Sequence, residues 1–307
     1  MSHHEHQHTE KARKGNRRAL VVVLALTASF TVVEIIGGLL TGSLALLADA
    51  GHMLSDNLSL GIALFAAWLA GKPATPEKSF GYRRAEILAA LVNGMTLVAV
   101  SLWVFVEAYS RLREPTGVLG GPMLAVAALG LLVNAVGAIV LYRSEGENLN
   151  VEGAMRHVLA DALGSVGAMV AAAVIILTGW RYADPLISVA IGLLILGSSW
   201  KLLRDSTNIL LEAAPSNLKA EEVGYRMASA DGVVEVHDLH IWTITSGFPA
   251  LSAHVLVGRD EDCHARRREL EELLANEFDI SHTTLQVDHV GDHHGSLQTL
   301  RFPTRRD

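Results

Sequence analysis

The sequence predicts an α-helical membrane protein with six transmembrane helices, followed by a small C-terminal α+β domain. Half of its 307 residues are hydrophobic, and the mean hydropathy is +0.32. Charged residues make up 19% of the chain, below the ~25% of a soluble domain. Most of them lie before residue 20 or after residue 200. The length therefore suits one membrane domain and one soluble domain.

Six apolar stretches reach the ~20 residues that a helix needs to cross a membrane. They cover residues 19–40, 44–70, 85–109, 118–142, 151–178 and 185–203. Lysine and arginine are concentrated before the first span, between the second and third, between the fourth and fifth, and after the sixth. Because basic loops stay in the cytoplasm, we expect a multi-pass protein of the cell (inner) membrane with both termini cytoplasmic.

After residue 211 the chain changes to short elements of alternating polarity. Helices are predicted over 218–230 and 262–278, and strands over 233–244, 250–258 and 283–290. This order is typical of a two-layer, ferredoxin-like αββαβ domain. The chain thus divides into a His-rich cytoplasmic tail, a six-helix transmembrane domain, a cytoplasmic metal-binding α+β domain and a disordered tail, at residues 1–18, 19–211, 212–290 and 291–307.

The composition excludes several classes of protein. A formal net charge of −7 without a basic stripe argues against a nucleic-acid partner, and membrane lipid is the expected surrounding. Cys263 is the single cysteine, so no intrachain disulfide forms and nothing indicates an oxidising compartment. No cleavable signal peptide is evident before the first apolar run.

Histidine is frequent, with 14 residues. Four of them stand in the N-terminal tail, at His3, His4, His6 and His8. Acidic and amide residues interrupt this run, which favours a native metal-collecting tail over an expression tag.

Two of the predicted spans carry the same polar pair. The second contains His52 and Asp56, and the fifth contains His157 and Asp161. The i, i+4 spacing puts each pair on one helix face, so two facing helices would supply a tetrahedral N₂O₂ set that suits Zn²⁺. A charged residue at membrane depth costs roughly 2.5–3.5 kcal/mol on insertion scales. A cation site therefore explains the repeated pair better than polar contacts between packed helices, which are the alternative.

Further polar residues lie in the spans. Asp49, one turn before His52, either lines a path for ions or protons or caps a local hydrogen-bond network. Glu34, Asn93 and Asn134 are expected to make hydrogen bonds between helices. Because metal ligands must be deprotonated before the metal enters, the histidine–carboxylate site could exchange metal for protons.

A second group of metal-binding side chains lies in the predicted soluble domain. Adjacent strands can bring His237, His254 and Asp288 together as a regulatory metal site, and His240 and His282 lie on or beside the same strands. Surface histidines at a sheet edge are the alternative, and the strand order decides between the two.

These motifs resemble the cation diffusion facilitator family, and its zinc-transporting branch in particular. The matching segments are SLALLADAGHMLSD (43–56), FGYRRAE (80–86), HVLAD (157–161) and VHDLHIW (236–242), and their order covers nearly the whole chain. The resemblance implies a homodimer that exports Zn²⁺, with Cd²⁺ as a second ion, from the cytoplasm. It also implies proton-coupled antiport with alternating access.

The resemblance assigns roles to particular residues. The transport site would consist of the two span pairs, with histidine in the second span as in the zinc and cadmium branch. The cytoplasmic metal ligands would be His237, His254 and Asp288, with His282 as a further candidate. Arg84 and Glu212 occupy the ends of the third and sixth spans, where charged residues of the family lock the protomers together. An ordinary surface role is the alternative for this pair.

Two loops depart from the family pattern. A known bacterial member has a histidine-containing metal site between the second and third spans, but residues 72–78 contain no histidine here. Eukaryotic members often have a His-rich loop between the fourth and fifth spans, but residues 143–148 are short and lack histidine. Any capture of metal would therefore fall to the N-terminal tail.

Two other functions fit the same residues. A membrane-embedded zinc enzyme would use the N₂O₂ site to activate water, with Asp49 as general base, but no substrate-binding motif accompanies it. A metal sensor would signal through the soluble domain and would need an effector domain. Metal flux across sealed vesicles separates transport from both.

Overall fold

Six long helices make up the N-terminal part of the protein. The computed structural model describes residues 2–143, 149–291 and 301–303. The helices are α1 (Ser2–Thr41), α2 (Leu44–Ala70), α3 (Ala85–Arg113), α4 (Gly120–Tyr142), α5 (Leu149–Thr178) and α6 (Ala183–Leu210). Each contains a stretch that is long and apolar enough to cross a membrane. The predicted six-helix fold class is confirmed.

Several helices continue beyond the predicted spans. α1 begins at Ser2, so the polar residues predicted as a separate tail continue the helix of the first span. α3 extends to Arg113 and α6 to Leu210, past the predicted ends at 109 and 203. Hydropathy marks only the part of a helix that suits hydrocarbon, whereas backbone hydrogen bonds continue through polar residues. The apolar runs therefore underestimate the lengths of the helices.

Small residues let the helices approach closely. Within the unit formed by Met1–Ile62 and Val92–Leu202, a Cβ atom added at Gly38 of α1 would lie 2.8 Å from the Leu47 side chain of α2. A Cβ atom at Gly164 of α5 would lie 2.7 Å from the Asp49 carboxylate of α2. The absence of side chains at these positions therefore brings the polar face of α2 against α5.

The second unit, formed by Ala63–Leu91 and Leu203–Asp307, contains the α+β domain. Its elements are α7 (Ala220–Ala228), β1 (Val233–Thr245), β2 (Phe248–Val257), α8 (Cys263–Phe278), β3 (His282–His289) and β4 (Arg301–Pro303). The strand order is β3-β2-β1-β4. β1 and β2 form an antiparallel hairpin, and β3 lies parallel to β2 after the crossover through α8. The predicted αββαβ order is confirmed, with one additional strand.

That additional strand, β4, lies within residues 291–307, which the sequence predicts to be disordered. Its backbone pairs antiparallel with residues 235–237 of β1. A three-residue strand in a polar tail has no sequence signal of its own, because its stability comes from the strand that it pairs with. Residues 292–300 and 304–307 lie outside the described part of the chain.

The core of this domain lies between one face of the sheet and the helices α7 and α8. Buried Val236 and Val255 from the strands join Met227 of α7 and Leu274 of α8 in one apolar cluster. Burying a side chain of this size contributes roughly 1.5–3 kcal/mol. Side chains next along each strand point to the other face, and that face carries the histidines.

Asp262 caps the start of α8. Its side chain accepts hydrogen bonds from the backbone N–H groups of His264 and Ala265, at 2.9 and 3.2 Å. These two bonds hold the pKa of the exposed carboxyl below its usual range, since they favour the charged form. The predicted helix over 262–278 therefore begins one residue later, at Cys263.

Candidate metal centre

The four polar residues predicted as ligands in the membrane lie together. α2 directs His52 and Asp56 to one side, and α5 does the same for His157 and Asp161, because residues four apart are about one turn apart. Ligand atoms of His52, His157 and Asp161 all lie within 4.8 Å of one another. The two imidazole rings are 6.0 Å apart between centroids, at an angle of 61°.

Imidazoles and carboxylates alternate around this group. His52 Nε2 lies 3.5 Å from Asp56 Oδ2 and 4.0 Å from Asp161 Oδ1. His157 lies 3.6 Å from Asp56 Oδ2 through Nδ1 and 3.4 Å from Asp161 Oδ2 through Nε2. A tetrahedral Zn²⁺ with bonds of about 2.0–2.2 Å holds neighbouring ligand atoms about 3.3–3.6 Å apart. His157 faces the two aspartates with different nitrogens, and a metal ion takes one of them, so the His157 ring or the Asp56 side chain must turn before all four residues share one ion.

The exposed fraction of the side chains falls along both helices. On α5 it falls from 41% at His157 to 1% at Asp161. On α2 it falls from 26% at Asp56 to 18% at His52, and Asp49, one turn further back, is 3% exposed. The group is therefore open on the side of Asp56 and His157 and closed on the side of Asp49.

The remaining polar residues of the spans have different surroundings. The interhelical bond expected at Asn93 is present, because Ser55 Oγ of α2 donates a hydrogen bond of 2.9 Å to its Oδ1. Asn134 is buried, and neither atom of its amide group has a hydrogen-bond partner among the described residues. The carboxyl groups of Glu34 and Asp49 are buried as well. The expectation of hydrogen bonds between helices is therefore wrong for Asn134.

Sequence reasoning missed a buried carboxylate at the start of α2. Asp184 of α6 accepts hydrogen bonds from Ser43 Oγ at 2.6 Å and from the backbone N–H groups of Leu44 and Ala45 at 2.8 and 3.2 Å. Arg111 of α3 lies 3.6 Å away and balances its charge. Asp184 thereby caps the helix that carries two of the candidate ligands. No local motif reveals this cap, because donor and acceptor are about 140 residues apart in the chain.

The cytoplasmic domain brings some of its candidate ligands together. His237 of β1 pairs with His254 of β2, and their rings are 5.5 Å apart between centroids. Gln286 of β3 pairs with His254 on the other side. Asp288, two residues further along β3, accepts a hydrogen bond of 2.8 Å from the Gln286 amide. The face that carries both histidines therefore continues to Asp288.

His282 lies apart from the other cytoplasmic candidates. It begins β3, four residues before the residue that pairs with His254, which is about 13 Å along a strand with a rise of 3.3 Å per residue. Its ring instead contacts Phe80 and Phe248, at centroid distances of 5.8 and 5.7 Å. The parallel register of β2 and β3 sets this separation.

A β-bulge at Asp238 adds residues that the sequence did not reveal as neighbours. β1 has one extra residue between His237, which pairs with His254, and His240, which pairs with Ser252. Asp238 adopts a left-handed φ of +53° there, and its carboxylate lies 3.1 Å from His240 Nε2 and 3.9 Å from His254 Nε2. His237 and His240 are three residues apart, and residues at that spacing share one face of a strand only across a bulge. Their spacing was therefore the sequence signal for this bulge.

Arg84 and Glu212, the pair that the resemblance assigns to a lock between protomers, contact each other within one chain. Arg84 Nη2 lies 3.0 Å from Glu212 Oε1, with the side chains 38% and 63% exposed. An exposed ion pair of this kind contributes about 0–1 kcal/mol. The pair therefore adds little to the stability of the single chain.

Fold and site together define a class of protein. It is a multi-pass membrane protein with a small α+β domain and a centre of histidine and carboxylate groups within its apolar helices, a donor set suited to a divalent transition metal ion. The model of the cation efflux transmembrane domain matches residues 20–211, and the model of the cation efflux protein cytoplasmic domain matches residues 215–290. The chain belongs to this cation efflux, or cation diffusion facilitator, family. Its members are metal cation transporters, so the alternative of a membrane-embedded zinc enzyme is set aside.

Similar proteins cover almost the whole chain. The metal cation efflux system protein CzcD of Cupriavidus metallidurans is 42% identical over 93% of this chain and 89% of its own. The zinc transporter ZitB of Escherichia coli is 42% identical over 94% of both chains. The cadmium, cobalt and zinc/H⁺-K⁺ antiporter of Bacillus subtilis is 41% identical over 94% of this chain and 93% of its own.

Proposed function

We propose that the protein exports Zn²⁺ from the cytoplasm in exchange for protons, through a site formed by His52, Asp56, His157 and Asp161. The observation that carries the proposal is the ring of alternating imidazoles and carboxylates, with contacts of 3.4–4.0 Å, inside otherwise apolar helices. Ionisable residues at membrane depth are costly, and they mark ion pathways in membrane proteins.

Zn²⁺ is the ion that best fits this donor set. Zinc prefers tetrahedral sites built from histidine and carboxylate ligands, whereas Mg²⁺ requires an octahedron of oxygen ligands. Cd²⁺ is a second substrate in this proposal. The similar proteins of E. coli and B. subtilis are named as transporters of zinc and of cadmium, cobalt and zinc, respectively.

Protons are the counter-ion in this proposal. Zn²⁺ enters only when the imidazoles are neutral and the carboxylates are ionised, so metal and protons compete for the same atoms. Loading with Zn²⁺ on one side of the membrane then releases protons, and protonation on the other side releases Zn²⁺. The name of the B. subtilis protein also describes exchange of metal for H⁺ and K⁺.

Alternating access requires a site that faces one side of the membrane at a time. Basic residues concentrate in the segments on the side of the termini, so both termini are cytoplasmic in this proposal and the membrane is the cell (inner) membrane. The open side of the ligand group lies at Asp56 and His157. It is the side of the membrane on which α2 ends and α5 begins. In this proposal the exposed side of the ligand group is therefore the side on which the cytoplasm supplies Zn²⁺.

The cytoplasmic domain serves regulation and dimerisation in this proposal. His237, His254 and Asp288 line one face of the sheet and bind Zn²⁺ there, while His282 takes no part because of its distance along β3. The family model that matches residues 215–290 describes the cytoplasmic domain of cation efflux proteins, and we propose that this domain joins two copies into a homodimer. The transport domain then covers residues 19–211.

Zn²⁺ uptake into sealed proteoliposomes under an imposed pH gradient tests the proposal. Wild-type protein is expected to accumulate Zn²⁺ when the vesicle interior is acidic, with proton efflux that follows metal entry. Asp56→Ala is expected to reduce uptake to that of protein-free vesicles, because one carboxylate of the ring is lost. Asp205→Ala, which changes an exposed carboxylate of α6, is the matched control and should behave as wild type.

The possible results separate transport from sensing. Zn²⁺ binding by wild-type protein without gradient-driven uptake would refute antiport and support the sensor alternative. Full uptake by Asp56→Ala would show that the ion passes elsewhere.

A further inference from the structure

The interior between α1, α2, α4 and α5 contains polar atoms without partners. Within the described residues, no hydrogen bond is made by either carboxylate oxygen of Glu34, by Asp49 Oδ2, by either amide atom of Asn134, or by Ser165 Oγ. All four residues are at most 3% exposed. Buried polar groups are nearly always paired with protein, water or an ion, so these atoms require a polar occupant.

The four side chains converge next to the proposed transport site, on its closed side. The Asp49 carboxylate lies against the backbone of α5 at Gly164, and Ser165 follows at once in the chain. Glu34 lies on α1 one turn before Gly38, whose Cβ position adjoins Leu47 of α2, so its side chain lies on the face of α1 that packs against α2 near Asp49. Ser165 is one turn beyond Asp161 on α5, so it lies directly behind that ligand.

Asn134 is directed into the same interior by the register of α4 and α5. A Cβ atom at Gly130 would lie 2.9 Å from Ser165 Oγ, and one at Gly137 would lie 3.7 Å from Val158. Asn134 lies between these two glycines on the same face of α4. In the antiparallel register it therefore faces α5 near the level of Asp161, one turn from Ser165.

The charge of this cluster calls for a cation. Neighbouring buried carboxylates repel each other unless a positive partner lies between them, and Asp161, one turn before Gly164 on α5, adds a third acid. α4 carries no charged residue between Gly120 and Tyr142. The basic groups on the neighbouring faces of α2 and α5, the two histidines of the transport site, are already paired with its aspartates.

We propose that Glu34, Asp49, Asn134 and Ser165 form a second cation site that binds the counter-ion of transport. The proposal rests on the proposed antiport. All of its donor atoms are oxygens of carboxylate, amide and hydroxyl groups, which favour hard cations, whereas the imidazoles that favour Zn²⁺ are absent. The occupant is a monovalent counter-cation, either an alkali ion such as K⁺ or a proton shared by the two carboxyl groups.

Position gives this site a role in metal release. A positive charge between Glu34 and Asp49 lies beside Asp161 and weakens the hold of that carboxylate on Zn²⁺. Zn²⁺ binding lowers the affinity for the counter-cation by the same factor, because coupling between two sites is reciprocal. In this proposal the counter-ion arrives from the closed side of the transport site, which faces away from the cytoplasm. Binding of the counter-ion to the second site therefore favours release of Zn²⁺ on that side.

Gradient-driven Zn²⁺ uptake by Glu34→Gln and Asp49→Asn in proteoliposomes tests this site. Either a pH gradient or a K⁺ gradient drives uptake, and Zn²⁺ binding in detergent is measured in parallel. Both variants keep the size of the side chain, so we expect Zn²⁺ binding to persist while driven uptake falls about tenfold, within the range of coupling between sites. Ser165→Ala is expected to weaken driven uptake less, and Ser101→Ala, a buried serine bonded within its own helix, is its matched control.

The outcomes separate this proposal from the transport function itself. Loss of uptake under the pH gradient alone identifies a proton as the occupant, and loss under the K⁺ gradient alone identifies an alkali ion. Unchanged uptake by both carboxyl variants under both gradients would overturn the second site, while wild-type uptake would still support antiport. Loss of Zn²⁺ binding in both properly folded variants would also overturn it, because the carboxylates would then belong to the metal site.

Discussion

The membrane ligand group and the cytoplasmic ligand group consist of the same residue types, but the chain assembles them by different means. In the membrane, His52 with Asp56 and His157 with Asp161 reach their positions through the fixed turn of two helices. In the cytoplasmic domain, His237 and His254 meet through strand pairing, and Asp238 joins them through a bulge. Helical spacing is a local property of the sequence, whereas strand register depends on partners elsewhere in the chain.

This difference also separates the surroundings of the two groups. Asp161 and Asp49 are almost completely buried, and their helices are held by close contacts at glycines and by the buried cap at Asp184. Each group nevertheless combines a buried member with an exposed one, because His157 is 41% exposed, whereas His237 is 1% and His254 37% exposed. The membrane group therefore depends on how its two helices are held, and the cytoplasmic group depends on the register of the sheet.

Removing one ligand from the membrane group should give the largest effect and leave the other group intact. Asp161→Asn is expected to abolish Zn²⁺ uptake in proteoliposomes, because the amide cannot replace an anionic ligand that lies beside both histidines. Zn²⁺ bound by the cytoplasmic domain, measured at equilibrium in the full-length protein, should remain. If both properties disappear together, the two groups are not separate sites.

The cap of α2 tests whether helical spacing alone arranges the membrane group. Asp184→Ala removes the acceptor of three hydrogen bonds, each worth about 1 kcal/mol or more, while Arg111 keeps its ion pair with Glu107. We expect a lower thermal unfolding midpoint and weaker uptake at saturating Zn²⁺. Ser199→Ala, a buried serine of α6 bonded within its own helix, is the control. Normal stability of Asp184→Ala would show that the cap does not hold α2.

A pair of histidine variants separates the cytoplasmic candidates. His254→Ala should lower the number of Zn²⁺ ions bound per chain, because His254 lies between His237 and Gln286 in the sheet. His282→Ala should leave that number unchanged, since His282 packs against aromatic rings at the far end of β3. Uptake at saturating Zn²⁺ should change little in either variant. Equal loss of bound Zn²⁺ in both would mean that the sheet rearranges when metal binds.

The smallest effect is expected from the N-terminal tail. Deleting residues 2–10 removes four histidines without touching any ligand of either group. Uptake should weaken only at low Zn²⁺ concentration, with an unchanged maximal rate, if the tail collects metal. A transporter without activity after this deletion would contradict that role, and identical concentration dependence would favour an expression tag.

The sequence was most informative where function depends on spacing within one element. Six apolar stretches and two His–Asp pairs were sufficient to predict the helices and the placement of the two pairs beside each other, while their binding of metal stays a prediction. Asp184 could not be predicted as a cap, because its donors lie on another helix. The positions of Asp238 and His282 and the formation of β4 depend in the same way on pairing between strands. Composition and periodicity do not reveal that pairing. The boundary expected at residue 18 reflected a change in polarity and not the end of a helix.

Short as it is, β4 changes which parts of the sheet are open to other chains. Without it, β1 would be an edge strand with unpaired backbone groups beside His237, and such edges recruit further strands or promote aggregation. With residues 301–303 paired to 235–237, that edge is covered at the histidine, and β3 forms the opposite edge of the sheet. A purification tag fused after Asp307 would be separated from this pairing by residues 304–307 alone, so such a tag is best removed before metal binding is measured.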